Sequence, residues 1–315
     1  MDLESKAVFD GLRKKYGRLY SIGDLTPTIC HLFGVPEPEK CGGEVIAEVA
    51  DQADKLMNGE GKVQRAVLFC ADALGDNQRE HFPEVFADIE KIAGFRIPSV
   101  SVLPSVTPVC YGTIFTGAAP CVHGIRKYEK PVIRIPTLFD AFAQAGKNVA
   151  ILSCNGCSID TIFRGREVDY FSFHGNRPEL AEAYKECLIM GAIDPDEKKE
   201  MGGLTGADEL AFAFTRQFIR EDRYDLLICY MTNYDHQMHG YGPFSPEASE
   251  QALLAAKRFK LLQEDMDRCW ARYNRVLAFV PDHGGHNTDE RHGGHGSDLP
   301  EDMLVSHYYR VCEGA

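Results

Sequence analysis

Residues 281–298 read PDHGGHNTDERHGGHGSD, with four histidines and three aspartates in eighteen positions directly after the apolar run RVLAFV. Imidazole nitrogens and carboxylate oxygens at this density are the donor set of a zinc, manganese or iron site. The same composition suits a solvated turn after a strand, so matching groups elsewhere must decide. Asp72 follows RAVLFC in ADALGD, Asp235 and His239 stand four residues apart in TNYDHQMHGYGP after YDLLICYM, and Asp282 and His283 follow RVLAFV. One Asp after a strand is an ordinary helix cap; three such sets, each behind an apolar run, read as the wall of a metal site. Thr107, in PSVTPVCYGTIFTGAAPCVHGI (104–125), adds a hydroxyl ahead of a proline and a helical pattern. That position suits an N-cap, and it also suits a group placed beside a phosphate at a helix N-terminus.

These groups must be held by the elements around them. The runs at 65–70, 148–154, 224–231 and 275–280 are continuously apolar, as in strands buried on both faces of a parallel sheet. Helical patterns at 135–146, 207–222 and 245–274 separate them, the last aligning Leu254, Phe259, Leu262, Met266 and Trp270 on one face. Alternating strands and helices imply right-handed crossovers and a doubly wound α/β sheet, in which functional groups gather beyond the carboxyl ends of the strands. With no repeat or linker, residues 1–315 are expected to form a single domain. Residues 1–60 would be a helical segment packed near the C-terminus, and about 155–206 a cap over the site.

The formal net charge of −13 argues against a general nucleic-acid-polymer binder, but not against a small anionic substrate met by bound cations. No run is long and apolar enough for a membrane span or a signal peptide. Eleven cysteines at scattered spacings, with Cys70, Cys154, Cys229 and Cys269 in apolar runs or on a helix face, fit a reduced cytoplasm. Cys154 and Cys157 form a CNGC whose spacing suits a redox or zinc pair, yet no second CxxC completes a zinc site.

The 104–125 block resembles the nucleophile segment of the alkaline phosphatase superfamily, above all its nucleotide pyrophosphatase/phosphodiesterase branch. There a Thr opens a helix, and a TG and a P-x-x-HG follow, as Thr116-Gly117 and Pro120 to Gly124 do here. Asp72, Asp235-x-x-x-His239, Asp282-His283-Gly284 and the later HGGHGSD match that superfamily's metal motifs in chain order. The resemblance implies an alkaline-phosphatase-like three-layer α/β/α sandwich with a mostly parallel sheet. It also implies two divalent metal ions, Zn2+ first and Mn2+ or Fe as alternatives. Asp72, Thr107, Asp282 and His283 would hold one; Asp235, His239 and His295 would hold the other, His295 fitting the H-G-x-[DN] form better than His292. SIGDLTPTICHLFGVPEPEKCGGEVI (21–46) resembles a helix that closes the chain in these enzymes, which suggests a circular permutation. That helix would then pack beside a closing strand near Met303–Arg310, with the chain ends on one side of the molecule.

The implied reaction is an in-line phosphoryl transfer between two cations roughly 4 Å apart, with Thr107 as nucleophile and a phosphothreonine intermediate. The sequence also departs from the branch. Tyr128 stands where the diesterases carry a phosphoryl-contacting asparagine, and only eleven residues separate His283 from His295, so the insertion of nucleotide-cleaving relatives is absent. Tyr128, Lys130 and His286 are candidate substrate contacts, with Arg126 near them, and Arg164, Arg166 and His174 are candidate anion binders. The expected function is thus a phosphodiesterase or nucleotide pyrophosphatase-like phosphohydrolase acting on a small phosphorylated substrate. A phosphomonoesterase or phosphonate hydrolase is the alternative, and a non-catalytic metal-stabilised binding protein a further one. A sulfatase ranks last among these, because TPVCYG lacks that branch's C/S-x-P-x-R motif.

Overall fold

The computed structural model describes residues 3–59, 61–173 and 206–315. Among these, eight strands form one sheet: β1 (Tyr20–Ser21), β2 (Arg65–Ala71), β3 (Phe95–Val100), β4 (Val149–Cys154), β5 (Asp169–Phe173), β6 (Leu226–Met231), β7 (Arg275–Phe279) and β10 (Leu304–Cys312). Their order is β1-β3-β10-β7-β2-β6-β4-β5, with β10 antiparallel to both neighbours and every other pairing parallel. A two-stranded hairpin, β8 (His286–Asn287) and β9 (Gly293–Gly294), stands apart from it. The helices are α1 (Leu3–Tyr16), α2 (Leu25–Phe33), α3 (Ala47–Leu56), α4 (Asp76–His81), α5 (Pro83–Ala93), α6 (Thr107–Thr116), α7 (Pro120–His123), α8 (Leu138–Gln144), α9 (Ser158–Ile162), α10 (Ala207–Glu221), α11 (Asn233–Tyr241), α12 (Pro246–Cys269) and α13 (Pro300–Met303).

Successive strand residues face opposite sides, so each continuously apolar strand feeds two cores. Leu68, Ile151, Ile228 and Ala278 pack under α2, α3, α6 and α8, through Ile29, Val49, Ile114 and Phe139. Phe69, Leu152, Leu227 and Phe279 pack under α5, α10 and α12, through Phe86, Leu210 and Phe259. The result is a three-layer α/β/α arrangement with a mostly parallel sheet, as the apolar runs require. Helix starts follow local chemistry: Thr137 and Asp140 form a capping box at α8, and the Ser245 hydroxyl accepts the Ala248 amide ahead of Pro246 at α12.

The register levels three strand ends. Cys70 pairs with Tyr230, Ala71 with Met231, and Phe69 with Phe279. Asp72, Thr232 and Val280 therefore follow at one rim, and the groups behind them converge there.

In the N-terminal segment, Phe9, Leu12 and Leu19 form a cluster with Val100, Met303 and Leu304. The Ala315 amide bonds the Ala271 carbonyl near the start of β7, at the rim opposite to that of Leu304. Of the expected cap, residues 174–205, with His174, lie outside the described residues, and Asp169–Phe173 extend the sheet as edge strand β5.

Candidate metal centre

Thr107 is the first residue of α6 and caps nothing: the N-cap position is Val106, and no side chain bonds the helix start. Released from capping, the hydroxyl lies 3.4 Å from His283 Nε2 in a site where Thr107 is only 5% exposed. The amides of Val109 and Cys110 are engaged by the Val106 carbonyl, so they do not stand free for a phosphate.

Around His283 Nε2 the donors are evenly spaced. Asp72 Oδ1 lies at 3.3 Å, Asp282 Oδ2 at 3.4 Å and Thr107 Oγ1 at 3.4 Å. A tetrahedral ion with ligands at 2.0–2.1 Å requires neighbouring donors about 3.3–3.4 Å apart. Beside this set, Asp235 Oδ1 lies 3.4 Å from both His239 Nε2 and His295 Nε2, and those two nitrogens are 3.1 Å apart. The His283 and His295 rings stack between the sets, centroids 3.9 Å apart. Every residue assigned by resemblance to the metals is thus brought into two adjacent clusters.

The hydrogen bonds fix which atoms face inward. His239, His283 and His295 each direct Nδ1 at a backbone carbonyl, of Gly293 at 3.1 Å, Gly284 at 2.9 Å and Ser105 at 2.8 Å. Nδ1 is therefore the protonated nitrogen of each neutral ring, and the Nε2 lone pairs point into the clusters. His239 and His295 consequently aim two lone pairs at one another, an arrangement that an intervening cation makes favourable. Asp72 Oδ1, Asp235 Oδ1 and Asp282 Oδ2 are buried with no hydrogen-bond partner. Buried carboxylate oxygens are ordinarily paired, so three orphans meeting three lone pairs fit two divalent cations. Three carboxylates carry −3 and two dications +4, leaving +1 to face an anion.

Without cations the electrostatics are strained. Burial, then the Asp72 carboxylate, holds the Asp282 carboxyl well above its usual range. Burial disfavours charge on His283, yet the Asp72 carboxylate beside it prevails and raises its pKa. At Asp235, burial is outweighed by the neighbouring imidazoles, His295 foremost, and its pKa falls.

The clusters open into a cavity of about 630 Å³ whose walls include Tyr128, Lys130, Cys157, Asn233 and His236. Tyr128 is exposed, and Lys130 Nζ bonds the Gly156 carbonyl at 2.9 Å. The other candidates lie elsewhere. The His286 ring bonds Asp302 Oδ1 at 2.6 Å and is not in the cavity wall, because the β8–β9 hairpin turns it toward α13. Asp302 also accepts the Ser297 amide and hydroxyl, so it ties down the loop carrying His295. His292 is half-exposed on Asp289. Arg164 pairs with Asp160, and Arg166 with Asp140 and the Ile135 carbonyl, which leaves neither in the cavity. His123 is buried against Thr113, and burial lowers its pKa to about 4.

Sequence reasoning missed Tyr230 and Asp302. The Tyr230 hydroxyl donates to Asp72 Oδ2, but in LLICYM it reads as one more core residue. Asp302, 0% exposed, sits in a polar stretch with no local sign of burial. Two glycines of the HGGH segments permit close approach: a Cβ on Gly284 would collide with the Glu301 carbonyl, and one on Gly293 would lie 2.7 Å from Met238 Cγ.

A family model described as type I phosphodiesterase/nucleotide pyrophosphatase matches residues 67–309. No curated protein sequence matches the chain. Solved structures similar to it include phosphonoacetate hydrolase from Sinorhizobium meliloti in complex with phosphonoformate, at 22% identity and a TM-score of 0.46 over 71% of this chain and 57% of that one. Human ectonucleotide pyrophosphatase/phosphodiesterase 5 is similar at 14% identity and a TM-score of 0.48, over 72% of this chain and 58% of that one. The chain spans less than two thirds of the length of either.

Proposed function

The chain belongs to the type I phosphodiesterase/nucleotide pyrophosphatase family of phosphoric ester hydrolases, and from that premise we propose that it is a two-metal phosphohydrolase acting through Thr107. The observation that carries the reading is the convergence of three orphaned carboxylate oxygens and three inward Nε2 atoms beside an uncapped Thr107 hydroxyl. Asp72, Asp282, His283 and Thr107 would hold one divalent cation, and Asp235, His239 and His295 the other, with zinc favoured by the mixed nitrogen and oxygen donors and their tetrahedral spacing. When bound, the pair supplies positive charge at the attacking and leaving oxygens of a phosphoryl transfer.

The chain's own groups do the rest. Thr107 Oγ1 gives up its proton to solvent and forms the bond to phosphorus while the ester oxygen departs with the bonding electrons, giving a phosphothreonine. Water then cleaves that phosphate ester and restores the hydroxyl. The Nδ1 bonds of the three histidines and the Tyr230 bond to Asp72 hold the donors in place, so little reorganisation accompanies the reaction. Tyr128, Lys130 and His236 would orient a small phosphorylated substrate in the cavity.

A phosphodiester is the first substrate class, on family grounds. A monoester or a phosphonate is the second reading, favoured by Tyr128 in the place of the diesterase asparagine and by a lysine in the cavity wall. A cytoplasmic location is supported by the free cysteines among the described residues, none of whose helices is long and apolar enough to cross a membrane. The test is hydrolysis of bis-p-nitrophenyl phosphate, p-nitrophenyl phosphate and phosphonoacetate by zinc-loaded wild type and Thr107→Ala. Turnover lost in the variant with metals retained is expected; turnover surviving in Thr107→Ala would overturn the nucleophile, and the ester preferred identifies the substrate class.

A further inference from the structure

The CNGC turn, which the metal clusters leave unused, forms part of the same cavity wall. Cys154 ends β4 and Cys157 immediately precedes α9; both thiols are free and only partly buried. The turn brings the Cys157 amide to 3.3 Å from the Cys154 carbonyl, so both thiols leave one tight turn. Cys157 Sγ accepts the Asp160 amide at 3.4 Å and lines the cavity with Thr107 and Lys130. The turn is also tied to the site wall. The Gly156 carbonyl holds Lys130 Nζ at 2.9 Å. Cys70 and Cys229, in contrast, are wholly buried core residues.

We propose that Cys154 and Cys157 are an oxidisable dithiol built into the wall of the phosphoester cavity, closing to an intramolecular disulfide that shifts Lys130. The proposal takes the cavity to be the substrate site, as argued above, but the thiol chemistry stands apart from that reading. The oxidant is a small-molecule disulfide. The Cys157 thiolate attacks one of its sulfurs, the small molecule's S–S bond breaks, and one thiolate leaves with the electron pair, giving a mixed disulfide on Cys157. Cys154 then releases its proton to solvent and attacks Cys157 Sγ, expelling the second thiolate. Two protein thiols lose two electrons and two protons in all, and the small disulfide becomes two thiols. The assignment of roles agrees with the surroundings. Burial opposes ionisation of Cys157, but hydrogen bonds from Cys154, the Asp160 amide and Ser153 outweigh it and hold its thiol below the ordinary value. The hydrogen bond to Cys157, and then burial, hold the Cys154 thiol above its own. A disulfide draws its Cβ atoms to roughly 3.8 Å, which would pull the Gly156 carbonyl and its lysine with them.

The experiment treats the full-length, zinc-loaded protein with oxidised glutathione or dithiothreitol, alkylates the remaining thiols in denaturant, and maps the peptides. Expected is the joint loss of alkylation at Cys154 and Cys157 within one peptide lighter by two hydrogens, reversed by dithiothreitol, with Cys70, Cys110 and Cys229 still alkylated. In Cys154→Ser, glutathione should stay on Cys157; in Cys157→Ser, Cys154 should remain a thiol. Alkylation of both cysteines after oxidant, or capture of glutathione by Cys154 instead, would overturn the dithiol. For the link to Lys130, the oxidised protein should show a KM for the preferred ester raised about tenfold with kcat moved less, the worth of one charge-assisted hydrogen bond. An unchanged KM would overturn that link. A chain without esterase activity would sink the proposed function, and the peptide map would still decide the dithiol.

Discussion

Replacing Tyr230 by phenylalanine isolates the contribution of one hydrogen bond to the metal centre. Tyr230 is 2% exposed, and its hydroxyl donates to Asp72 Oδ2, while the other oxygen of that carboxylate faces His283 Nε2 at 3.3 Å. Tyr230→Phe keeps the ring that packs edge-on to Tyr111 at 5.2 Å, so the cavity left is no larger than a hydroxyl. Losing a hydrogen bond to a charged group costs about 1.5–3 kcal/mol. Removing a partner that orients a metal ligand typically costs about 10–100-fold in affinity, which at 1.4 kcal/mol per decade is a similar energy. The effect should fall on the Asp72, Asp282 and His283 cluster and spare the cluster of Asp235, His239 and His295. Stepwise zinc competition against a chromophoric chelator reads both affinities. One should weaken by at least about tenfold and the other by less than about threefold, with kcat recovering in excess zinc. Tyr309→Phe is the control, since that hydroxyl is buried and unpartnered, and its loss should be neutral or stabilising by about 1 kcal/mol. Equal weakening of both sites, or none, would refute the argument that Tyr230 acts through Asp72.

Asp302→Ala should do the converse, weakening zinc at the His295 cluster while sparing the Asp72 cluster, because it frees Ser297 and His286 together; the same competition assay reads it. Gly284→Ala should cost roughly 2–4 kcal/mol by urea unfolding, since the added methyl meets the Glu301 carbonyl, a backbone atom with no rotamer to yield. Burial pushes the Asp208 carboxyl up to about 6, so its proton is retained in the folded chain and lost by the unfolded one near pH 4. The stability this contributes is complete below about pH 4 and is lost as the pH rises through 6, about 3 kcal/mol in all. Asp208→Asn can still accept the Thr232 and Asn233 amides, so its stability relative to wild type should rise between pH 4.5 and 8; parallel urea midpoints would contradict this.

Legibility in the sequence followed physical rule. The four continuous apolar runs became β2, β4, β6 and β7 because a strand buried on both faces has no polar positions to confuse with a helix. Strand β3 escaped notice because FRIPSV contains Pro98, which removes a ladder donor; β1 pairs only with Ser99 and Val100, so the proline costs no bond on that side. The donors were visible because each follows an apolar run, and the sheet register levels those runs at one rim. Tyr230, Asp302 and the Ser105 carbonyl were not visible. Their roles depend on contacts across 158, 16 and 190 residues of chain, which no local pattern encodes. Thr107 illustrates the limit most simply: sequence left capping and chemistry open, and one position in the helix start separates them.

The central claim is that two cations occupy this centre, and anomalous X-ray diffraction from crystals of the zinc-loaded protein tests it most directly. Two peaks above the zinc edge are expected, one bounded by Asp72, Thr107, Asp282 and His283 and the other by Asp235, His239 and His295, about 4 Å apart as two-metal phosphoryl-transfer sites are. A single peak, or peaks elsewhere while Asp72 Oδ1, Asp235 Oδ1 and Asp282 Oδ2 bond only to water, would contradict it.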